Sequence, residues 1–488
     1  MLLSAVLLSS AAYLIWYVVF RKTDLPPGPC KLPLIGNAWW FLLQKRRNVR
    51  IPVAIHEAAK TYGDVIHFQI GNKNIVFLQG FDTIHDAFVK QAADFSFRPN
   101  RGNQNAEGQA KGVAMENGEP FKIIQSFIMQ FLNSETAGVE DKILAEINAA
   151  TDYLDVKTGE PYDMKLLLSM MVTNIIHNVV FGKRFDYADE DLNRLLTNLG
   201  AIFRSGSKID ATAILPKFLV NLVKTEKREK EQKETREAGE WVKDQINKEI
   251  DQHEATFNGD KPRDFVDVYI KEQLRGSEQE IFTRERLHQV IKDMFIAGSE
   301  ASAVTMNWTI LHMQEFPEVQ EKCQREIDEK CGNRCIRLED RGSLPYVEST
   351  LMEIQRVSNV AEATLPHAVL EDTTFRGYRI PKDSIVHANL LSSNKGSRYW
   401  DDLDTFLPDR FLEDKAKKNP AFIPFGLGPR RCLGESLAKK EIFLIFTNFL
   451  QRFTFQRGNP NVRHSFNCIV DQLTATPLPY KTQIIKRK

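Results

Sequence analysis

Residues Phe422 to Gly434 read F-I-P-F-G-L-G-P-R-R-C-L-G, and this stretch constrains the fold more than any other. Its glycines and prolines deny it a helix or strand of its own. It nevertheless leads straight into an apolar, helix-like run, Glu435 to Leu450. The rest of the chain must therefore hold Cys432 at a helix entrance among arginines, a setting that favours thiolate over thiol. A thiolate donates strongly to iron, and a cysteine-ligated haem is the arrangement that favours O–O cleavage. Gly426, Gly428 and Gly434 allow backbone to approach a flat cofactor closely. Arg430 can offer a fork of N–H donors to a carboxylate such as a propionate. A lone cysteine near a helix start is more often a small buried hydrophobe. The spacing of Phe425, Gly428, Arg430, Cys432 and Gly434 argues against that reading here.

The chain is 488 residues long, room for two domains or one large catalytic unit. Its 65 Lys+Arg against 64 Asp+Glu leave a net charge of +1, which gives no electrostatic case for nucleic acid. Thirty-one phenylalanines point to generous apolar burial rather than disorder. Six cysteines in so long a chain are not a disulfide scaffold. Cys331 and Cys335 lie close but have no matching His or Cys pair, so no zinc site is expected.

Residues 1–21 read as a transmembrane anchor: Leu2 to Phe20 carries no charge, and Arg21 and Lys22 follow at once. Positive charge on that side keeps the following chain cytoplasmic. A cleaved signal peptide would carry its charges before the apolar run instead. Residues 22–36, with Pro26-Pro27-Gly28-Pro29, form a stiff hinge, and residues 37–488 form the body. Val65 to Leu78 reads as a hairpin, Asp82 to Gln91 as a helix capped by Asp82, and Asn100 to Gly118 as an irregular loop. Met164 to Phe181 and Leu287 to Met313 are long apolar helical runs, while Leu192 to Phe203 and Leu215 to Val223 are shorter ones. Thr225 to Glu240, dense in both charge signs, reads as a solvated helix face. Phe375 to Val386 and Leu473 to Ile485 read as strands. Inside the longest apolar run, Phe295-Ile296-Ala297-Gly298-Ser299-Glu300 places a glycine and an acid where both are costly.

The cysteine loop resembles the haem-binding loop of the cytochrome P450 family. The resemblance runs from the anchor to the C-terminus, and the hinge, the Pro366-His367 step and Pro408-Asp409-Arg410-Phe411 resemble animal microsomal, drug- and steroid-oxidising members. It implies a mainly α fold with small β-sheets (α+β), haem b lying between a long central helix and the cysteine loop. Cys432 would ligate the iron, with Phe425, Gly428 and Gly434 shaping the loop and Arg98, His367 and Arg430 meeting the propionates. Glu353, Arg356 and Arg410 would form a buried structural cluster. The Ala297-Gly298 pair would form an oxygen groove, Glu300 would relay protons, and Phe295, Ala297 and Leu365 would line the substrate pocket. The implied activity is monooxygenation of a lipophilic substrate (fatty acid, steroid or xenobiotic). NADPH would supply electrons through NADPH–cytochrome P450 reductase, with cytochrome b5 as an optional second donor, at the endoplasmic reticulum membrane. Arg431, Lys439 and Lys440 would be docking charges.

Two departures stand out. Ala301 occupies the place of a family threonine whose hydroxyl helps deliver protons to dioxygen, and Ser302 points about 100° further round the helix. Phe121 and Gln125 stand where Trp and Arg usually donate to a propionate. Loss of the threonine suits a hydroperoxide isomerase, and loss of the Trp/Arg pair suits a non-catalytic haem-binding protein. Both remain as alternatives to the monooxygenase.

Overall fold

A computed structural model describes residues 24–99, 111–134, 138–207, 226–259, 261–276, 278–412, 418–469 and 474–487. The anchor, residues 100–110 of the irregular loop, Leu215 to Val223 and Leu473 lie outside the described residues.

Helices dominate, with small sheets at the margins, as the sequence predicts. The longer helices are α1 (Ala38–Arg46), α2 (Ile51–Tyr62), α3 (Gly118–Leu132), α4 (Val139–Asp155), α5 (Met164–Phe181) and α6 (Glu190–Ser207). There follow α7 (Glu226–Thr256), α8 (Phe265–Arg275), α9 (Arg284–Glu315), α10 (Pro317–Cys331), α11 (Pro345–Ser358) and α12 (Glu435–Arg452). Their ends follow local chemistry. The Asp163 carboxylate accepts the Lys165 N–H at 2.9 Å to start α5, and Gly182, at φ 67°, ends it. Thr283 caps α9 by accepting the Arg286 N–H at 3.2 Å. Helix α5 is long and apolar enough to cross a membrane, but it is a core helix, buried along most of its length.

The central helix α9 packs along α5. A Cβ on Gly298 would sit 2.7 Å from Ile176 Cδ1, so α9 packs against α5 here with no room for a side chain. In α7 the charged stretch is largely solvated, and among the described side chains Ala238, Val242, Ile246 and Ile250, at helical spacing, are buried together with His253.

Strands β1 (Val65–Ile70) and β2 (Lys73–Gln79) form the expected hairpin, turning at Gly71 with φ 58°. They join β4 (His367–Ala368) and β7 (Ile385–Asn389) in the order β1-β2-β7-β4. The sheet β3 (Pro161–Tyr162), β9 (Thr482–Lys486) and β8 (Phe453–Arg457) closes the far side, and β5 (Thr373–Phe375) pairs with β6 (Tyr378–Ile380).

Two expectations change. The run after residue 80 starts at Gly80, not Asp82, and only Phe81 to His85 is α-helical before a wider π-turn over Asp86 to Lys90. Gly80 sits at φ 75°, and a side chain there would meet Arg398 Nη2 at 2.7 Å, so the chain turns at the glycine. Near the C-terminus only Thr482 to Lys486 forms a strand, because Pro477 and Pro479 have no N–H to give a ladder.

Candidate active site

The cysteine loop is held by its own backbone. The Cys432 N–H donates to the Phe425 carbonyl at 2.8 Å. Gly426 and Gly428 sit at φ 75° and 73°, and a Cβ on Gly428 would lie 2.0 Å from the Phe88 carbonyl oxygen. Gly428 is thus required by the protein's own packing. Gly434 caps α12 at φ −85° with open space around it, so nothing in the loop demands glycine there.

The Cys432 thiol is reachable by solvent. Burial nevertheless raises its pKa, with Glu435 adding to the rise and the Gly434 N–H opposing it. Arg431 points outward, and the Arg430 guanidinium is turned toward Ser96 and Glu116. A bound metal cation would have to take the proton's place.

Arg430 Nε donates to the Ser96 carbonyl at 2.8 Å, and its Nη2 donates to the Glu116 carbonyl and Asn117 Oδ1 at 2.6 and 2.9 Å. Its Nη1 is buried without a partner. Arg98 Nε donates to the Ala114 carbonyl at 3.1 Å, and its Nη1 donates to the Leu365 and Pro366 carbonyls at 3.1 and 3.0 Å. Burial pushes these guanidiniums down to about 9 for Arg98, where Arg430 adds its repulsion, and about 10 for Arg430. Two desolvated cations, one with an orphaned nitrogen, fit an anionic group between them. By their chemistry the residues fit a haem: an exposed thiol for the iron and two desolvated guanidiniums for carboxylates.

His367 is a weaker partner than expected. Its ring stacks on Phe88 at 4.1 Å, and its Nδ1–H donates to the Phe95 carbonyl at 2.6 Å. Burial, aided by the Arg98 charge, pushes its pKa down to about 3. A neutral ring with its proton on Nδ1 meets a carboxylate only by gaining a second proton.

The two unusual residues of α3 turn toward the loop. The Arg430 guanidinium carbon lies 3.4 Å from the centre of the Phe121 ring, and Gln125 Nε2 donates to the Pro429 carbonyl at 2.9 Å.

The central helix presents Ala297 and Ala301, one turn apart, as exposed residues in a run that is otherwise largely buried. Leu365, whose carbonyl Arg98 holds, is 41% exposed. Phe295 corrects an expectation: it is 2% exposed, packed between Phe181 and His177 at 5.8 and 5.9 Å. It lies about 200° round the helix from Ala297, which turns it into the core. Gly298 likewise faces α5, so Ala297 and Ala301 shape the groove. Glu300 is half-buried, and desolvation raises its pKa, opposed by Lys165 and Arg204. Ser302 is buried beside Glu441, whose carboxyl burial pushes up to about 8.

Sequence reasoning missed Asp293. It stands one turn before Ala297 on the same face, and its Oδ2 accepts the Ala114 N–H at 2.8 Å. Burial raises its pKa to about 6. An acid inside the apolar run, four residues before Ala297, was the available signal.

Glu353, Arg356 and Arg410 lie together, but within the expected cluster only Glu353 and Arg356 are hydrogen-bonded to each other. Arg356 Nε and Nη2 donate to the two Glu353 oxygens at 2.7 and 2.8 Å, with both side chains fully buried. Arg410 Nε lies 3.5 Å from the same carboxylate without a hydrogen bond, and its terminal nitrogens donate to the Asp401 and Asp402 carbonyls. Elsewhere among the described residues, His253, Asp264 and Asp267 lie at metal-ligand spacing. Arg263 already grips both Asp267 oxygens, and the two His253 nitrogens bond Glu249 and Asp264.

The family profile described as Cytochrome P450 matches residues 26–484. Cytochrome P450 2B2 of Rattus norvegicus is 35% identical over 89% of this chain and 88% of its own length. Cytochrome P450 2F2 of Mus musculus is 33% identical over 89% and 88%. Cytochrome P450 2J2 of Homo sapiens is 31% identical over 90% and 87%.

Proposed function

The chain belongs to the cytochrome P450 family and is a haem-thiolate monooxygenase, and from that premise we propose that Cys432 ligates the iron and that the substrate is a fatty acid, steroid or xenobiotic. The observation that carries this is the placement of the thiols. Cys432 is exposed just before the start of α12, two residues from Arg430 and its unpartnered Nη1, whereas Cys323 is buried beside the Thr350 hydroxyl at 3.4 Å and Cys331 is buried in the core.

Haem, when bound, supplies dioxygen reduction and oxygen insertion into a C–H or C=C bond. The chain's residues do the rest. Arg98 and Arg430 orient the carboxylate edge. Ala297, Ala301 and Leu365 offer an apolar wall that favours lipophilic substrates and excludes water. Glu300 holds a proton more readily than an exposed carboxyl, which suits it to relay protons into the groove. Electrons would come from NADPH through NADPH–cytochrome P450 reductase docked near exposed Arg431, with cytochrome b5 as an optional second donor. Lys439 serves this less than expected, since it is paired with Glu435 at 2.6 Å. The reading includes residues 1–21 as anchor, 22–36 as hinge and 37–488 as a cytoplasmic catalytic body at the endoplasmic reticulum membrane. The test is reductase-dependent NADPH consumption with product formation, the substrate found by unbiased metabolite comparison with and without the protein.

A second reading, a hydroperoxide isomerase, is favoured by two observations: the Thr305 hydroxyl is spent on the Ala301 carbonyl at 2.8 Å, and Ser302 is buried toward Glu441. Turnover of a lipid hydroperoxide without NADPH would support it over the first.

A further inference from the structure

Helix α3 bears on the cysteine loop through contacts that involve no cofactor. The Phe121 ring lies 3.4 Å under the Arg430 guanidinium. One turn on, Gln125 reaches the Pro429 carbonyl at 2.9 Å. Phe121 is 8% exposed, so the stacked pair is largely desolvated, the condition under which a cation–π contact is strongest. The same guanidinium ties Ser96, Glu116 and Asn117 to the loop. Asn117 Oδ1 also accepts the Arg98 N–H at 2.8 Å, and its Nδ2 donates to the Arg98 carbonyl at 3.0 Å. Each arginine thus spends most of its donors on protein oxygens, and each keeps one terminal nitrogen without a protein partner among the described residues. Phe121 has no polar hydrogen, and the Gln125 amide is committed to Pro429.

We propose that Phe121 and Gln125 staple helix α3 to the cysteine loop, so that the loop holds its ligating shape before haem arrives, and that haem exchanges in and out of this preformed pocket. The proposal rests on the reading that Cys432 ligates the iron. Preformation removes the ordering cost of binding, while the two residues contribute no donor to the propionates. The occupant stays haem; what changes is how it is acquired and lost.

The test uses the full chain with and without haem. Hydrogen exchange should show the Cys432 amide protected in the apo protein, and Phe121→Leu should speed that exchange about tenfold or more. Haem transfer to an excess of apomyoglobin should be about tenfold slower for the Phe121→Trp/Gln125→Arg double variant, which adds a neutral and a charged donor. An apo loop exchanging at the unprotected rate, or a double variant losing haem at the wild-type rate, would overturn the proposal. If the double variant fails to fold, the Phe121→Leu exchange measurement decides alone. A Cys432→Ser protein that keeps the thiolate-type CO band would overturn the parent reading instead, whatever the loop does.

Discussion

The Thr305 hydroxyl donates to the Ala301 carbonyl at 2.8 Å, along the helix and not across it. Threonines bonded back in this way tend to bend a helix, and Thr309 repeats the contact onto the Thr305 carbonyl at 2.9 Å. The groove at Ala301 therefore carries a methyl group and no hydroxyl at that turn. Ala301→Thr should supply one. Product formed per NADPH consumed should rise several-fold and released peroxide should fall, both measured in the reductase-coupled assay. Equal coupling in the two proteins would show that a bound water or a substrate hydroxyl already does this work.

Neighbouring positions on the central helix should respond in opposite ways. Ala297→Phe fills the exposed face, so binding of lipophilic ligands, followed by the haem spectral shift, should weaken about tenfold or more while haem content holds. Phe295→Ala empties the contact with Phe181 and His177 and should cost about 3–5 kcal/mol of stability, read by urea unfolding, with a smaller effect on ligand affinity.

The Glu353–Arg356 pair is fully buried and bidentate. Arg356→Ala leaves an uncompensated buried carboxylate and should cost about 3–5 kcal/mol. Arg410 is 10% exposed and bonds mainly to backbone carbonyls. Arg410→Ala should cost less, about 1–2 kcal/mol. Thermal unfolding of both variants checks the order, and equal losses would mean that Arg410 shares the charge burden.

Asp293 gives a pH dependence with a definite sign. Its carboxyl titrates at 3.8 in the unfolded chain and about 6 in the folded one, raised by burial against the Ala114 N–H and the Lys292 charge. Between these values the native state binds the extra proton, so this group's contribution to stability falls as pH rises through the window. At about 1.36 kcal/mol per unit the loss is at most about 3 kcal/mol. Asp293→Asn removes the titration, so its unfolding free energy should gain on the wild type between pH 4 and pH 7. His367, depressed to about 3, acts in the opposite direction. Its term is common to both proteins and cancels. A constant difference across the window would refute the assignment.

Local chemistry made much of this legible in the sequence. Proline and glycine announced the cysteine loop, an apolar run announced the central helix, and the Glu353/Arg356 spacing put both groups on one face of α11. Three things were not legible, because they depend on which face of a helix meets which neighbour. Phe295 and Ala297 are both apolar, and only the packing of α5 sends one into the core and leaves the other in the groove. The Gly298 residue reads as a cofactor feature until Ile176 is seen against it. Phe121 and Gln125 read as losses, and the fold makes them contacts to Arg430 and Pro429.

The measurement that bears most directly on the account is the absorption spectrum of the reduced protein under CO, for wild type, Cys432→Ser and Cys323→Ser. Wild type and Cys323→Ser should both show the thiolate-type band, and Cys432→Ser should lack it. A thiolate-type band that survives in Cys432→Ser would contradict the assignment of Cys432 as the ligand around which this chain is built.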